Sequence, residues 1–253
     1  MPATLELRWE FTPETLFEDR LTCDLAECCK ITVDQGVVVA SLPLIDGETK
    51  STLREAIESY VESLFLGVQV AAHMQCQLSR PSVSTLQDDG SRGYIIECEP
   101  GTIQIRGGRV DICYVRSDGT VVDTRRDRVE RKHRLSRAAA IYAPSDEALA
   151  RMLRSYRSAI ADAEDELIHL YEVLDTLAST FGSQTEALRQ LGQPKRKWSR
   201  LGQLCNDLPL RQGRHRGRVG EALRSASEEE LTEARSLSAG FIESYIEYLE
   251  RTK

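Results

Sequence analysis

An α+β protein is predicted: a mostly antiparallel β domain with one or two helices over residues 1–144, then an all-α helical domain over 145–253. Three observations carry the prediction. Apolar residues in the first half alternate at the period of a strand with one buried face. Glycine-containing turns separate its β-branched runs. From Asp146 onward the apolar spacing changes to three and four residues, the period of a helix with one buried stripe.

Taken in order, "TLELRWEF" places Leu5, Leu7, Trp9 and Phe11 on one face of a first strand. "CCKITVDQGVVVASLPL" reads as a hairpin turning at Asp34-Gln35-Gly36, where glycine is free to take positive φ. Thr52 and Glu55 have capping-box spacing and open a helix through Ile57, Val61 and Leu64. Strands are expected again in "VQVAAHMQCQLS", "GYIIECEP" and "GTIQIRGGRVDICYV", with turns at Gly107-Gly108 and Asp118-Gly119. The "RGGR" turn lacks the strand–loop–helix setting and the lysine of a phosphate-binding loop.

Residues 123–144, "DTRRDRVERKHRLSRAAAIYAP", read as a solvated connector helix with Asp127…Arg131 and Glu130…Arg134 pairs, or as a surface for an acidic partner or RNA. Pro144 ends it, and the domain boundary is placed there.

In the second half, Ile160, Ala163, Leu167, Leu170, Leu174 and Leu177 recur along one long helix from Asp146 to Gly182. Ser183 and Glu186 cap a short helix closed by Gly192. Pro194 opens another, with Trp198, Leu201 and Leu204 on one face. Ser227 and Glu230 cap a last helix that turns Leu231, Ala234, Leu237, Phe241, Tyr245 and Tyr248 inward.

Composition narrows the function classes. The chain of 253 residues is 41% hydrophobic and 29% charged, the balance of a soluble globular protein. A net charge of -7 gives no global attraction to nucleic acid or anionic lipid, so any such binding must come from a local patch. No apolar run is long enough to span a membrane, and the N-terminus does not read as a signal peptide; a cytoplasmic location is expected. The seven cysteines show no metal-ligand spacing, so reduced structural thiols are expected, with neither a metal nor a cofactor.

Positive charge is concentrated in one place. Between Arg189 and Arg224 ten lysines and arginines face only Asp207 and Glu221, a local excess of eight. Within it, "LCNDLPLRQGRHRGR" reads as a loop ahead of the last helix. Metal-free RNA cleavage needs a group that titrates near neutrality, and histidine does so unshifted. It also needs fixed cations for the charge that builds on phosphate, a task suited to arginine's planar fork. His215, between Arg214 and Arg216, would be biased by their charge toward its neutral, basic form. The same residues also suit anion or partner binding without catalysis, or pairing with the acidic last helix.

The order of helices around "LIHLYEVLDTLASTFG" and "NDLPLRQGRHRG" resembles the HEPN superfamily over residues 146–250. The resemblance implies a helical domain that commonly dimerises, bringing two Arg/His loops together. Active members are metal-independent ribonucleases of toxin–antitoxin and antiphage systems; others are binding modules. In the active pattern more residues separate arginine from histidine than the three between Arg211 and His215, and Asn206 here precedes the arginine.

The resulting expectation is an RNA- or polyphosphate-binding protein, in its catalytic version a ribonuclease with His215 as acid/base and Arg211 and Arg214 on the phosphate. Asn206, Arg216, Arg218, Arg200 and Lys197 would assist binding. The expected assembly is a homodimer or higher oligomer with no membrane contact. The rival expectation is a non-catalytic subunit of a defence complex that docks an acidic partner, or its own second copy, through the same arginines.

Overall fold

The computed structural model describes residues 4–25, 29–43, 49–86, 92–95, 111, 113–115, 121–214 and 222–252. The architecture is α+β. The chain forms two compact units, Met1–Glu58 with Cys76–Arg134, and Ser59–Gln75 with Leu135–Lys253.

The first unit is built on strands β1 (Thr4–Thr12), β2 (Leu21–Leu25), β3 (Cys29–Asp34), β4 (Val37–Pro43), β5 (Gln77–Leu78), β6 (Ser82–Leu86) and β7 (Arg92–Ile95). They form an antiparallel sheet in the order β2-β3-β4-β1-β6-β7, with β5 also pairing with β1. The register matches Leu5 to Leu42, Leu7 to Ala40 and Trp9 to Val38 across β1 and β4, and Ile31 to Ala40 across β3 and β4. Because side chains alternate along a strand, this register gathers the apolar set on one face. All of these residues are buried. The β3–β4 hairpin turns at Gln35 (φ 44) and Gly36 (φ 80), the doubly left-handed backbone that a tight two-residue turn requires.

Strands β8 (Cys113–Val115) and β9 (Val121–Asp123) pair separately. The expected turns at Gly107-Gly108 and Asp118-Gly119, and the second half of "GYIIECEP", lie outside the described residues.

Helix α1 (Thr49–Ala72) corrects two expectations. It begins before Thr52, which therefore lies inside it rather than capping it. It also runs through "VQVAA", where a strand was expected. Leu64, Phe65, Val68, Val70 and Ala71 are all buried, so this stretch is apolar around most of its circumference. Such a run cannot distinguish a helix from a buried strand by periodicity. Gly67 is needed there, because a Cβ at that position would come within 2.3 Å of the Leu135 carbonyl oxygen.

Helix α2 (Thr124–Tyr142) is not the fully solvated connector that its charge suggested. Val129, Leu135, Ala138, Ala139 and Ala140 are buried, and so is Lys132. Its N-terminal half belongs to the first unit, where Arg125 reaches Asp19 at 2.7 Å. Arg128 binds Glu18 at 2.7 Å and Asp111 at 2.5 Å, and Lys132 also donates to Glu18.

The second unit gathers its core around α4 (Glu166–Phe181), whose Leu167, Leu170, Val173, Leu174 and Leu177 are buried. The single long helix expected over 146–182 is two: α3 (Glu147–Ala161) and α4, packed on each other. The break comes at Asp162, whose side chain accepts the backbone N–H groups of Glu164 (3.1 Å) and Asp165 (3.2 Å). These bonds replace helical ones with a turn. Ala163, expected inside, is exposed at this turn.

The remaining caps match their sequence signals. The Asp146 carboxylate accepts from Leu149 N–H at 3.0 Å and the Ser183 hydroxyl from Glu186 N–H at 3.1 Å. Helix α5 (Gln184–Leu191) ends at Gly192 with φ 63. Helix α6 (Lys195–Gly202) follows Pro194 and turns Trp198 and Leu201 inward. Helix α7 (Glu228–Thr252) closes the unit, with a reciprocal Ser227/Glu230 capping box at its start and Trp198 edge-on against Phe241, ring centres 5.5 Å apart. Among the described residues no helix is long and apolar enough to cross a membrane.

Candidate anion-binding site on the second unit

After α6 the chain widens into a π-helical turn, Gln203–Asp207, closed by Leu208 N–H donating to the Gln203 carbonyl at 3.0 Å. Such turns are frequent at functional sites, since the extra residue re-aims the side chains that follow. Leu204 and Cys205 are buried beneath it. Burial pushes the Cys205 thiol well above its ordinary range, which leaves it a protonated core residue rather than a nucleophile.

The segment beyond is a pinned loop. Leu210 is buried and serves as its anchor. Arg211 N–H donates to the Arg224 carbonyl at 3.0 Å, and Arg224 N–H donates to the Pro209 carbonyl at 3.1 Å, tying the two limbs together. The Gln212 side-chain oxygen accepts Ala226 N–H at 3.0 Å. Arg214 N–H returns to the Cys205 carbonyl at 3.0 Å, past a buried Gly213. A Cβ on Gly213 would stand 3.2 Å from the same carbonyl oxygen, so a side chain there would press on the turn. His215, Arg216 and Arg218 lie outside the described residues.

The fixed limb carries Arg214 to α4. Its guanidinium donates to Asp175 at 3.0 Å and lies over the Tyr171 ring at 4.6 Å from the centroid. Tyr171 and Asp175 are four apart on α4 and so share a face. Burial, followed by the charge of Asp175, raises the Tyr171 phenol above its ordinary range; Arg214 acts in the opposite direction. The phenol therefore stays protonated and can donate. Asn206 donates to Asp207 at 3.2 Å within the π-helical turn. Arg211 is exposed and meets no carboxylate among the described residues.

Other cations of the segment are held within the chain. Arg200 makes a two-pronged pair with Glu233 on α7 (2.9 and 2.7 Å) and donates to Gln203 at 2.8 Å. Arg224 makes another with Glu230, both bonds 2.7 Å, and these together with the Ser227 N–H hold the Glu230 carboxyl at about 2. Arg189 pairs with Glu186. Lys197 donates to Gln193 at 3.0 Å. Of the residues singled out from sequence, Arg214, Arg211 and Asn206 thus belong to the loop and its π-helical turn, whereas Arg200 turns to α7.

Tyr171 and Asp175 were not singled out from the sequence, although both belong to the Arg214 contact. The available signal was their four-residue spacing in "LYEVLDTL", a polar pair beside the leucine stripe. Among the described residues no group of three His, Cys, Asp or Glu side chains is placed to hold a metal ion.

Exposed ion pairs contribute little to stability, and the Arg214–Asp175 pair is roughly half-exposed on both sides. An incoming phosphate can therefore take the place of Asp175 while Tyr171 keeps the guanidinium oriented. No family model, curated protein or solved structure matches the chain.

Proposed function

We propose that this is a HEPN-like protein that binds RNA or another polyphosphate through the loop following the π-helical turn. The single observation that carries the reading is the anchoring of Arg214 over Tyr171 and against Asp175, beside an Arg211 that meets no carboxylate among the described residues. A guanidinium held by weak, solvent-exposed contacts on a pinned backbone is oriented for phosphate and can exchange partners without refolding.

In the catalytic form of the proposal His215 transfers protons to and from the ribose 2′-hydroxyl and the leaving oxygen, while Arg211 and Arg214 stabilise the phosphorane. Tyr171 remains a neutral donor at the edge of the site. The HEPN resemblance adds a setting in bacterial defence or stress and a homodimer in which two loops share one substrate; the cytoplasmic location is the expectation drawn from the apolar runs and the N-terminus.

The test is cleavage of an end-labelled single-stranded RNA by purified protein with chelator present. Cleavage by wild type that is lost in His215→Ala supports the ribonuclease. RNA binding without cleavage in either, lost in Arg214→Ala, supports the binding form. No RNA binding by wild type refutes both forms and leaves the arginines to a protein partner.

A further inference from the structure

A second surface of the same unit lies between the first turn of α6 and the middle of α7. It is a groove of about 280 Å³, lined by Glu233, Ser236, Leu237, Gly240 and Phe241 of α7 and by Gln193 and Lys197.

Gly240 is its most telling residue. In a helix interior glycine is less favourable than alanine by about 1 kcal/mol, so it is normally found where a neighbour comes too close for a Cβ. Gly67 fits that rule, with the Leu135 carbonyl oxygen in the way. Gly240 does not, since a Cβ added there meets nothing within 4 Å. The packing of the described residues gives no reason for its missing side chain, and Gly240 lines the groove.

The groove is lined by one acid, Glu233, and one cation, Lys197, and their settings differ. Glu233 is neutralised by the two-pronged Arg200 pair. Lys197 is exposed and donates to Gln193; Lys195 and Arg196, just before it on α6 and outside the groove's lining, are exposed too, and none of the three meets a carboxylate among the described residues. They occupy the first turn of α6, where the helix N-terminus adds to the positive potential.

We propose that this groove docks an acidic peptide segment of a protein partner, which seats one apolar side chain over Gly240 while its carboxylates meet Lys195, Arg196 and Lys197. Size favours a side-chain anchor, because the groove falls just below the range of about 300–1,000 Å³ that encloses a whole small-molecule ligand. Single-stranded RNA is disfavoured because it needs an open aromatic platform for its bases. Phe241 is buried, with its ring set edge-on against Trp198. An exposed lysine on the wall of a mostly apolar slot, with Lys195 and Arg196 next to it on α6, instead suits acidic residues flanking a leucine or phenylalanine.

The experiment uses the full chain and a fluorescein-labelled peptide of glutamates and aspartates around a central Leu-Phe pair, read by fluorescence anisotropy. A second peptide has Ser-Ser in place of Leu-Phe. The expected result is saturable binding of the first peptide, weakened about tenfold by Lys197→Glu and abolished by Gly240→Trp, which fills the slot. Thermal unfolding by circular dichroism checks that each variant is folded. Lys197 is exposed, so its variant decides the matter should Gly240→Trp not fold.

Failure of the Leu-Phe peptide to bind would overturn the proposal. So would equal binding of the Ser-Ser peptide, or wild-type affinity in a folded Gly240→Trp. Displacement of the peptide by single-stranded RNA, with RNA binding also lost in Lys197→Glu, would assign these cations to RNA and overturn it as well. Arg214→Ala should leave peptide binding unchanged, so failure here and failure of the RNA reading are separable.

Discussion

Glu18 holds a left-handed backbone (φ 62) and takes hydrogen bonds from Arg128 at 2.9 and 2.7 Å and from Lys132, whose side chain is 5% exposed. The bond from Arg128, helped by Lys132 against the opposing effect of burial, lowers the Glu18 carboxyl from 4.5 to about 2. A depressed carboxylate contributes stability that is fully present above its unfolded value and is lost as pH falls toward its folded one. Part of the acid unfolding of the first unit should therefore fall between pH 4.5 and about 2. Glu18→Gln should flatten that limb of a stability-versus-pH curve followed by urea titration. Parallel curves for wild type and variant would remove Glu18 from the account. At the candidate site, Asp175→Asn should strengthen binding of a short RNA several-fold, because the competing intrachain acid is gone; weaker binding would mean that Asp175 serves to hold Arg214 in place.

At the scale of elements, the two glycines already contrasted predict opposite outcomes. Gly67→Ala should lower stability by about 1–3 kcal/mol, since α1 and α2 must separate to admit a methyl group against the Leu135 carbonyl. Gly240→Ala should raise it by about 0.5–1 kcal/mol, since the helix gains propensity and meets no obstruction. Denaturant midpoints at constant m-value check both. Alternation in β1 and the Gln35-Gly36 turn were plain, because a sheet with one buried face leaves its period in the sequence. So were the caps at Asp146, Ser183, Ser227, Gly182 and Gly192, because each is a local hydrogen bond or a positive φ. The end of α1 was illegible because a helix buried on most sides has no polar face to show its period. The α3–α4 break was masked by the leucine stripe of α4, which continues the period of α3 across Asp162. Tyr171 and Asp175 were missed because their contacts with Arg214 join residues far apart in the chain, 39 positions in the case of Asp175.

For the molecule as a whole, an acidic protein with a net charge of -7 keeps its positive segment by pairing much of it internally. Arg189, Arg200 and Arg224 are bound to Glu186, Glu233 and Glu230. Arg214 is bound more loosely to Asp175, while Arg211 meets no carboxylate among the described residues. In the proposed function, phosphate binding by the described loop therefore rests on Arg211 and Arg214 rather than on all ten cations. Each phosphate neutralised on a single strand lowers the slope of log K against log salt by about 0.7, so the number of cations engaged is measurable. The most direct test of the account is that salt titration on a labelled single-stranded RNA, comparing wild type with Arg211→Ala/Arg214→Ala. Wild type is expected to bind, and the double variant to show a salt slope shallower by about 1.4 with thermal stability retained. Identical slopes, or no binding by wild type at low salt, would contradict it.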